Sequence, residues 1–495
     1  MASIDQAEFK NSYLNLGERF STPQKPTPVP EPHLIRLNAN LANFLGLDAR
    51  ELNTLEAIQC LAGNRIPANS QPLAAVYAGH QFGQWNPQLG DGRAILLGEL
   101  QGQDQNLYDV QLKGGGQTPY SRMGDGRSPL GPVLREYVVS ETMAALGIAT
   151  TRALAAVASG ERVVRDQLLP GAVLTRVAQS HIRIGTFQYF SARQDIKAIQ
   201  QLADYVIHRH YRDYVNEFYP DDPYTGLLAA VVNAQARLVA QWMSVGFIHG
   251  VMNTDNMLLS GETIDYGPCA FMDRYNPRQV YSSIDRQGRY AYSNQPDIAR
   301  WNLSWLAQAL LPLMDKTELG AVKKAEKQLE QFVTLYDDYY QTFFARKLGF
   351  DKATEKTVEV CEAWLSLLAS EDCDFTLSFR ALADQLGAGE EVVENIYPLP
   401  EKFQPWLQHW RALLTEQGIS SSQARQTLLK SNPLFIPRNH VLEAAINMAT
   451  YNEDFTLFHQ LVDALANPYD YQPEYLQLAQ PPGPGQEIVA TFCGT

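Results

Sequence analysis

Cysteine is scarce in this chain. Cys60, Cys269, Cys361, Cys373 and Cys493 are the only five in 495 residues, with no C-x-x-C spacing and no companion histidine pattern. That excludes a disulfide framework or a thiolate zinc site as the basis of the fold. Positive charge is in short supply as well: forty Lys and Arg face fifty-four acids, a net charge of −14. This is the wrong sign for a chain whose main partner is a nucleic acid backbone, so any polyanion it holds should be small and gripped by a local cationic cluster. Long apolar runs are missing too. Trp305 to Met314, interrupted by Gln308 and Pro312, falls short of a membrane span. The start, Met1-Ala2-Ser3-Ile4-Asp5, has neither a signal nor a transit pattern. The expectation is a soluble, cytoplasmic monomer without membrane or nucleic acid partners.

What the chain does have is core-forming material, 45% hydrophobic over 495 residues, enough for two lobes. Proline-rich Gln24 to Pro32 reads as an extended strap over the first lobe. Strand-like alternation follows at Arg93 to Leu100 and Tyr108 to Lys113. Pro132 to Leu146 then carries Val133, Leu134, Tyr137 and Val138 on one side, with Gly147 as a C′ stop, which predicts a helix. Ala153 to Ala158 and Ala172 to Val177 complete a small mixed sheet. Strand, strand, helix, strand, strand is the order of a kinase N-lobe. Beyond about Ser180 helical periodicity takes over, at Tyr224 to Val245, Trp301 to Leu313, Glu318 to Phe344, Thr354 to Leu368 and Trp406 to Gln417. The fold class expected is α+β and protein-kinase-like: an N-lobe over residues 1–180, a mostly helical C-lobe over 181–480, and a flexible tail over 481–495. No internal repeat is visible.

The most informative stretch is Val245 to Gly267, V-G-F-I-H-G-V-M-N-T-D-N-M-L-L-S-G-E-T-I-D-Y-G. Kinases write this region as an apolar helix end, H-R-D-x-x-x-x-N, a hairpin and D-F-G. Laid on that template, His249 takes the His position, Asn256 the Asn position and Asp265-Tyr266-Gly267 the D-F-G position. Val251 falls where the catalytic Asp should stand. Asn256 and Asp265 bear oxygen donors that a short hairpin can bring to one Mg²⁺, whose remaining ligands are water and phosphate. Asp255 is the one carboxylate in the loop that can act on an incoming hydroxyl; the same residue type also caps turns, and both readings stay open.

Lys113 ends a strand and Glu136 sits in the first half of the next helix, matching the lysine–glutamate pair that sets a cation beside nucleotide phosphates. Gly90-Asp91-Gly92-Arg93 and Gly114-Gly115-Gly116, running on to Gly124-Asp125-Gly126-Arg127, allow close backbone approach to phosphate, yet they equally suit hairpin turns. Arg176 and Arg183 flank the boundary between the lobes, suited to gripping a terminal phosphate or to ordinary ion pairing.

Taken together, G-H-Q-F-G from Gly79, G-D-G-R-A from Gly90, Q-L-K-G-G-G-Q-T-P-Y-S-R from Gln111, H-G-V-M-N-T-D-N-M from His249 and D-Y-G-P from Asp265 resemble the selenoprotein O family, also called YdiU, over nearly the whole chain. The resemblance implies a pseudokinase fold that binds ATP in a flipped orientation and transfers AMP, not phosphate, to Ser, Thr or Tyr hydroxyls of other proteins, with UTP as an alternative donor in bacterial members. It implies that Gly90, Gly92, Arg93, Lys113, Asp125, Gly126, Arg176 and Arg183 hold the nucleotide. Asp255 would be the proton acceptor, and Asn256 and Asp265 would hold Mg²⁺ or Mn²⁺, Asp265 reaching the nucleotide as well. It also supports a redox pair of Cys269, four residues after Asp265, and Cys493, which stands where some relatives encode selenocysteine; two unpaired thiols are the alternative. An atypical kinase using Asp255 on the γ-phosphate, and a non-catalytic ATP-binding scaffold, are the competing readings of the same residues.

Overall fold

A computed structural model describes residues 3–387, 393 and 396–492. The chain is α+β, with a large sheet in its first part and helices through the rest. The sheet-forming strands are β1 (Ser21–Pro23), β2 (His33–Leu37), β3 (Leu73–Ala75), β6 (Ala94–Gln101), β7 (Leu107–Lys113), β8 (Ser128–Pro129), β9 (Arg152–Val164) and β10 (Leu168–Ala178). Between β3 and β6 lies a separate two-stranded hairpin, β4 (Gly79–Gln81) and β5 (Gln84–Asn86). The large sheet runs β1-β3-β6-β7-β10-β9-β2, with β8 pairing β10.

Every pair in it is antiparallel, which corrects the expectation of a mixed sheet. The hairpins β6–β7 and β9–β10 each deliver two opposed strands, and β10 then lies antiparallel to β7, with Arg176 opposite Gln111. Residue alternation records which face a side chain takes and carries nothing about the direction of the neighbouring strand. β9 and β10 also run far past Ala158 and before Ala172: the register shifts between Pro170 and Ala172, a bulge that holds Gly160 at φ +75°, and pairing resumes with Arg162 opposite Pro170.

One face of the sheet packs Leu97, Val110, Leu112, Val157, Val173 and Val177 against the short helices Ala39–Phe44 and Leu55–Leu61 in a core of its own. The other face meets helix α1 (Leu130–Ala145) through Leu96 and Leu174, and that core continues into the helical half. α1 ends as its sequence predicts. Gly147, at φ +76°, donates to Ala144 while Ile148 donates to Met143, a Schellman closure that only a residue tolerant of positive φ completes without strain. The strap is held down by its backbone: Thr27 N–H donates to the Gly115 carbonyl, and Arg127 donates to the Thr27 and Pro28 carbonyls.

Past the sheet, α2 (Ile184–Ser191), α3 (Pro223–Ser244), α4 (Gln295–Met314) and α5 (Glu318–Lys347) build the helical core. α3 starts on Pro223, whose missing N–H costs nothing in a first turn. It ends three residues before β11 (Phe247–Ile248), which pairs with β12 (Ala270–Phe271) and brackets the loop from His249 to Pro268. No helix among the described residues is long and apolar enough to cross a membrane.

Candidate active site

The loop after β11 is rigidly fastened. His249, fully buried, donates its backbone N–H to Gln295 on α4, and its ring nitrogen Nε2 lies 2.9 Å from the Ile264 carbonyl, the residue before Asp265. An antiparallel bridge of Met257 with Thr263 folds Asn256 back toward Asp265, as the short hairpin predicts. Asn256 Nδ2 donates to the Val251 carbonyl at 2.9 Å, which leaves its amide oxygen without a partner among the described residues. Val251 itself is buried and offers no proton acceptor on its side chain.

Around this loop the fold closes a cavity of about 840 Å³ between the sheet and the helical half. Gly90, Gly92, Arg93, Lys113, Asp125, Gly126, Arg176, Arg183, Asp255, Asn256 and Asp265 all line it, so residues scattered over 176 positions of chain meet in one place. Glu136 stands just behind. It pairs with Lys113, and Arg176 Nε donates to it at 2.8 Å. Burial alone would raise the Glu136 carboxyl, but Arg176 and Lys113 outweigh it and the group is held below its ordinary range.

Asp265 takes the cations that Glu136 leaves partly free. Arg176 reaches its Oδ1 at 2.7 Å, Lys113 the same oxygen at 3.4 Å, and Arg183 its Oδ2 at 3.2 Å. Against the opposing effect of burial, these three cations hold Asp265 well below the usual carboxylate range. Its backbone sits at φ +63°, an unusual conformation for a non-glycine residue, which the surrounding ion pairs help to fix. Arg183 also donates to the Asp255 carbonyl at 2.8 Å and lies over the Tyr77 ring at 4.4 Å.

Asp255 has no such company. It is 6% exposed, Gln81 donates to its Oδ2 at 3.0 Å, and its Oδ1 is buried without a partner among the described residues. Burial pushes the carboxyl up to about 6, against the pull of Arg183 and the Gln81 hydrogen bond.

The glycine runs have distinct roles. At Gly126, φ is +69° and a Cβ would fall 2.1 Å from the Gly116 backbone, so no side chain fits where the two runs cross. Asp125 lines the cavity beside an arginine. Arg165 holds its carboxylate with two bonds of 2.8 and 3.0 Å, and it receives the Arg127 N–H, so it shapes the loop. Arg93 is half-buried on the cavity wall with no ion pair among the described residues. Two contributors escaped sequence reasoning. Asp91 is buried 3.9 Å from Arg183, inside a G-D-G-R run that reads as glycine and arginine alone. Gln81 sits in G-H-Q-F-G, a motif carried by the resemblance and given no chemical role.

Among the described residues no three His, Cys, Asp or Glu side chains are grouped to hold a metal. The donors offered to a cation are the amide oxygen of Asn256 and the carboxylate of Asp265. Two hard oxygens on a cavity wall fit a divalent ion that draws its other ligands from water and phosphate. Cys269 is a fully buried free thiol, pushed up to about 12 chiefly by burial; Cys493 lies outside the described residues. Within the tail, Thr491 is anchored beside Cys269, donating from its N–H to the Tyr281 carbonyl at 2.7 Å and from its hydroxyl to the Pro268 carbonyl.

A family model described as protein adenylyltransferase SelO matches residues 3–466. The chain belongs to the SelO family. A protein nucleotidyltransferase YdiU from Bradyrhizobium sp. (strain ORS 278) is 52% identical over 488 residues, covering 98% of this chain and 99% of that protein. Another from Rhizobium leguminosarum bv. trifolii is 51% identical over 489 residues, covering 98% and 97%. This SelO-family chain is therefore similar to those proteins along its whole length.

Proposed function

We infer that this chain is a protein nucleotidyltransferase that moves AMP from ATP onto Ser, Thr or Tyr hydroxyls of other proteins and releases pyrophosphate, with UMP transfer from UTP as a second activity. The observation that carries this is the exchange of carboxylates in the loop: Val251 stands where a kinase keeps its base, while buried Asp255 lines the same cavity as Lys113, Arg176 and Arg183. The framework is a two-lobed kinase-like one, with an N-lobe to residue 180, a helical C-lobe to 480 and a tail beyond it.

In this reading Lys113, Arg176, Arg183 and Arg93 receive the β- and γ-phosphates of a reversed ATP, and the glycine backbones at Gly90, Gly92 and Gly126 permit close approach. The acceptor oxygen attacks the α-phosphorus, the bond from that phosphorus to the pyrophosphate oxygen breaks, and the hydroxyl proton passes to Asp255. An Mg²⁺ or Mn²⁺ ion held by Asn256 and Asp265 supplies neutralisation of phosphate charge when bound. The cationic cluster stabilises the leaving pyrophosphate without reorganising, because Glu136 and Asp265 already hold it in place.

Incubation with casein as a hydroxyl-bearing acceptor, using α-labelled and separately γ-labelled ATP, tests the reading. Label retained from the α-position is expected. Retention from the γ-position would make the chain a kinase, and retention from neither would make it a scaffold; either result overturns the proposal.

A further inference from the structure

The G-H-Q-F-G run from Gly79 to Gly83 has no part in the chemistry above, although it is built against the catalytic loop. It forms β4, a two-residue turn and the approach to β5, with Gln81 paired to Gln84. Phe82 and Gly83 both take positive φ, +52° and +80°, the type I′ arrangement that matches hairpin twist. Three consecutive residues of the hairpin bond three consecutive residues of the loop. His80 N–H donates to Thr254 Oγ1 at 2.7 Å, Gln81 Nε2 to Asp255 Oδ2 at 3.0 Å, and Phe82 N–H to Asn253 Oδ1 at 3.0 Å.

The far side of the hairpin is braced. The His80 ring stacks on Trp305 at 4.0 Å, meets Trp85 at 4.9 Å, and its Nδ1 lies 2.8 Å from Gln188 Nε2 on α2. Gly79 supplies the last constraint. A Cβ there would fall 2.6 Å from Asp255 Oδ1, so glycine alone leaves room for that oxygen.

We propose that Gln81 is the positioning residue for Asp255: its amide engages Oδ2 while Oδ1 is enclosed against Gly79, and the two contacts together fix the carboxylate plane in which the base receives the acceptor proton. The inference rests on the assignment of Asp255 as base. A base held within hydrogen-bonding geometry acts on the nucleophile and adds nothing to nucleotide binding, so loss of the orienting amide should appear in turnover alone.

The test is a double-mutant cycle on the full chain, with casein and α-labelled ATP for kcat, a fluorescent ATP analogue for affinity, and melting curves for folding. Gln81→Met keeps the length of the side chain and removes the donor. It is expected to lower kcat about 10- to 100-fold, the usual toll for removing a partner that orients a working side chain, with analogue affinity unchanged. In an Asp255→Ala background the same substitution is expected to change the residual rate not at all, since its effect runs through Asp255. Wild-type kcat in Gln81→Met overturns the proposal. So does an equal further loss in the Asp255→Ala background, which would give Gln81 a structural or acceptor-binding role. Wild-type kcat in Asp255→Ala alone removes the base assignment and the proposal with it, a separate readout from the two before. Should Gln81→Met lose its native melting transition, Gln81→Leu, which likewise has no donor and adds no charge beside Asp255, replaces it with the same expectations.

Discussion

The cavity has two walls that treat a carboxylate in opposite ways. On one wall, Lys113 and Arg176 from the sheet and Arg183 from the start of α2 surround Asp265, which stays ionised despite its burial. On the wall formed by the β4–β5 hairpin, Asp255 is more enclosed and has one neutral amide on one oxygen, and burial pushes it up to about 6. The two residues stand at positions 255 and 265 of one loop. Their difference shows that neighbours set the state of a buried carboxylate: one is held charged by cations, the other is pushed toward its protonated form by burial, which suits the anchor and base roles proposed for them.

The sharpest way to break this comparison is to remove the anchor. Asp265→Ala is expected to abolish transfer and metal-dependent ATP binding, measured by nucleotide titration with Mg²⁺. It should also destabilise the fold by about 3 kcal/mol, because three buried cations lose a shared partner. Retained transfer would dismantle the site assignment.

Asp255→Ala addresses the other wall. Its kcat should fall by about 10²- to 10⁴-fold, the range for a lost general base, while ATP affinity matches the wild type. Loss of affinity with turnover preserved at saturation would make Asp255 a structural residue.

A smaller effect, and a more direct reading of the contrast, is the sign of the stability change in the isosteric pair. Asp265→Asn should lower the melting temperature. Asp255→Asn should leave it unchanged or raise it by the equivalent of about 1 kcal/mol at neutral pH, because it removes a desolvated charge without a cationic partner in contact. Equal losses in both variants would erase the distinction drawn here.

The smallest effect expected concerns the thiols. A Cys269–Cys493 tether would act beside Asp265 and leave the hairpin wall alone, so reductant should raise transfer in the wild type modestly and do nothing in Cys493→Ala. Equal responses in the two proteins remove the switch.

Much of the site is legible in the sequence because its chemistry is local. His249 and Asn256 keep the kinase interval, Asp265 follows Asn256 after a hairpin shorter than the kinase one, and Gly147 stops α1 for a reason written in its own backbone freedom. The sheet was less legible. β2 and the outer parts of β9 and β10 carry too little alternation or too many charges to read as strands, and they form because a neighbour's ladder pairs them. Asp91 and Gln81 were missed for a related reason: each works through a partner far off in sequence, Arg183 for one and Asp255 for the other.

The sequence by itself determined the chemical inventory: which side chains are cations, which offer oxygen donors, which position lacks the kinase carboxylate, and which neighbour carries one. Tertiary structure alone decided how those groups differ. Spacing along the chain cannot say that Asp265 meets three cations while Asp255 meets an amide, since both facts depend on strands and a hairpin folded in from more than eighty residues upstream. Burial raises the cost of each charge, and whether a counter-charge offsets that cost is settled only once those distant elements pack.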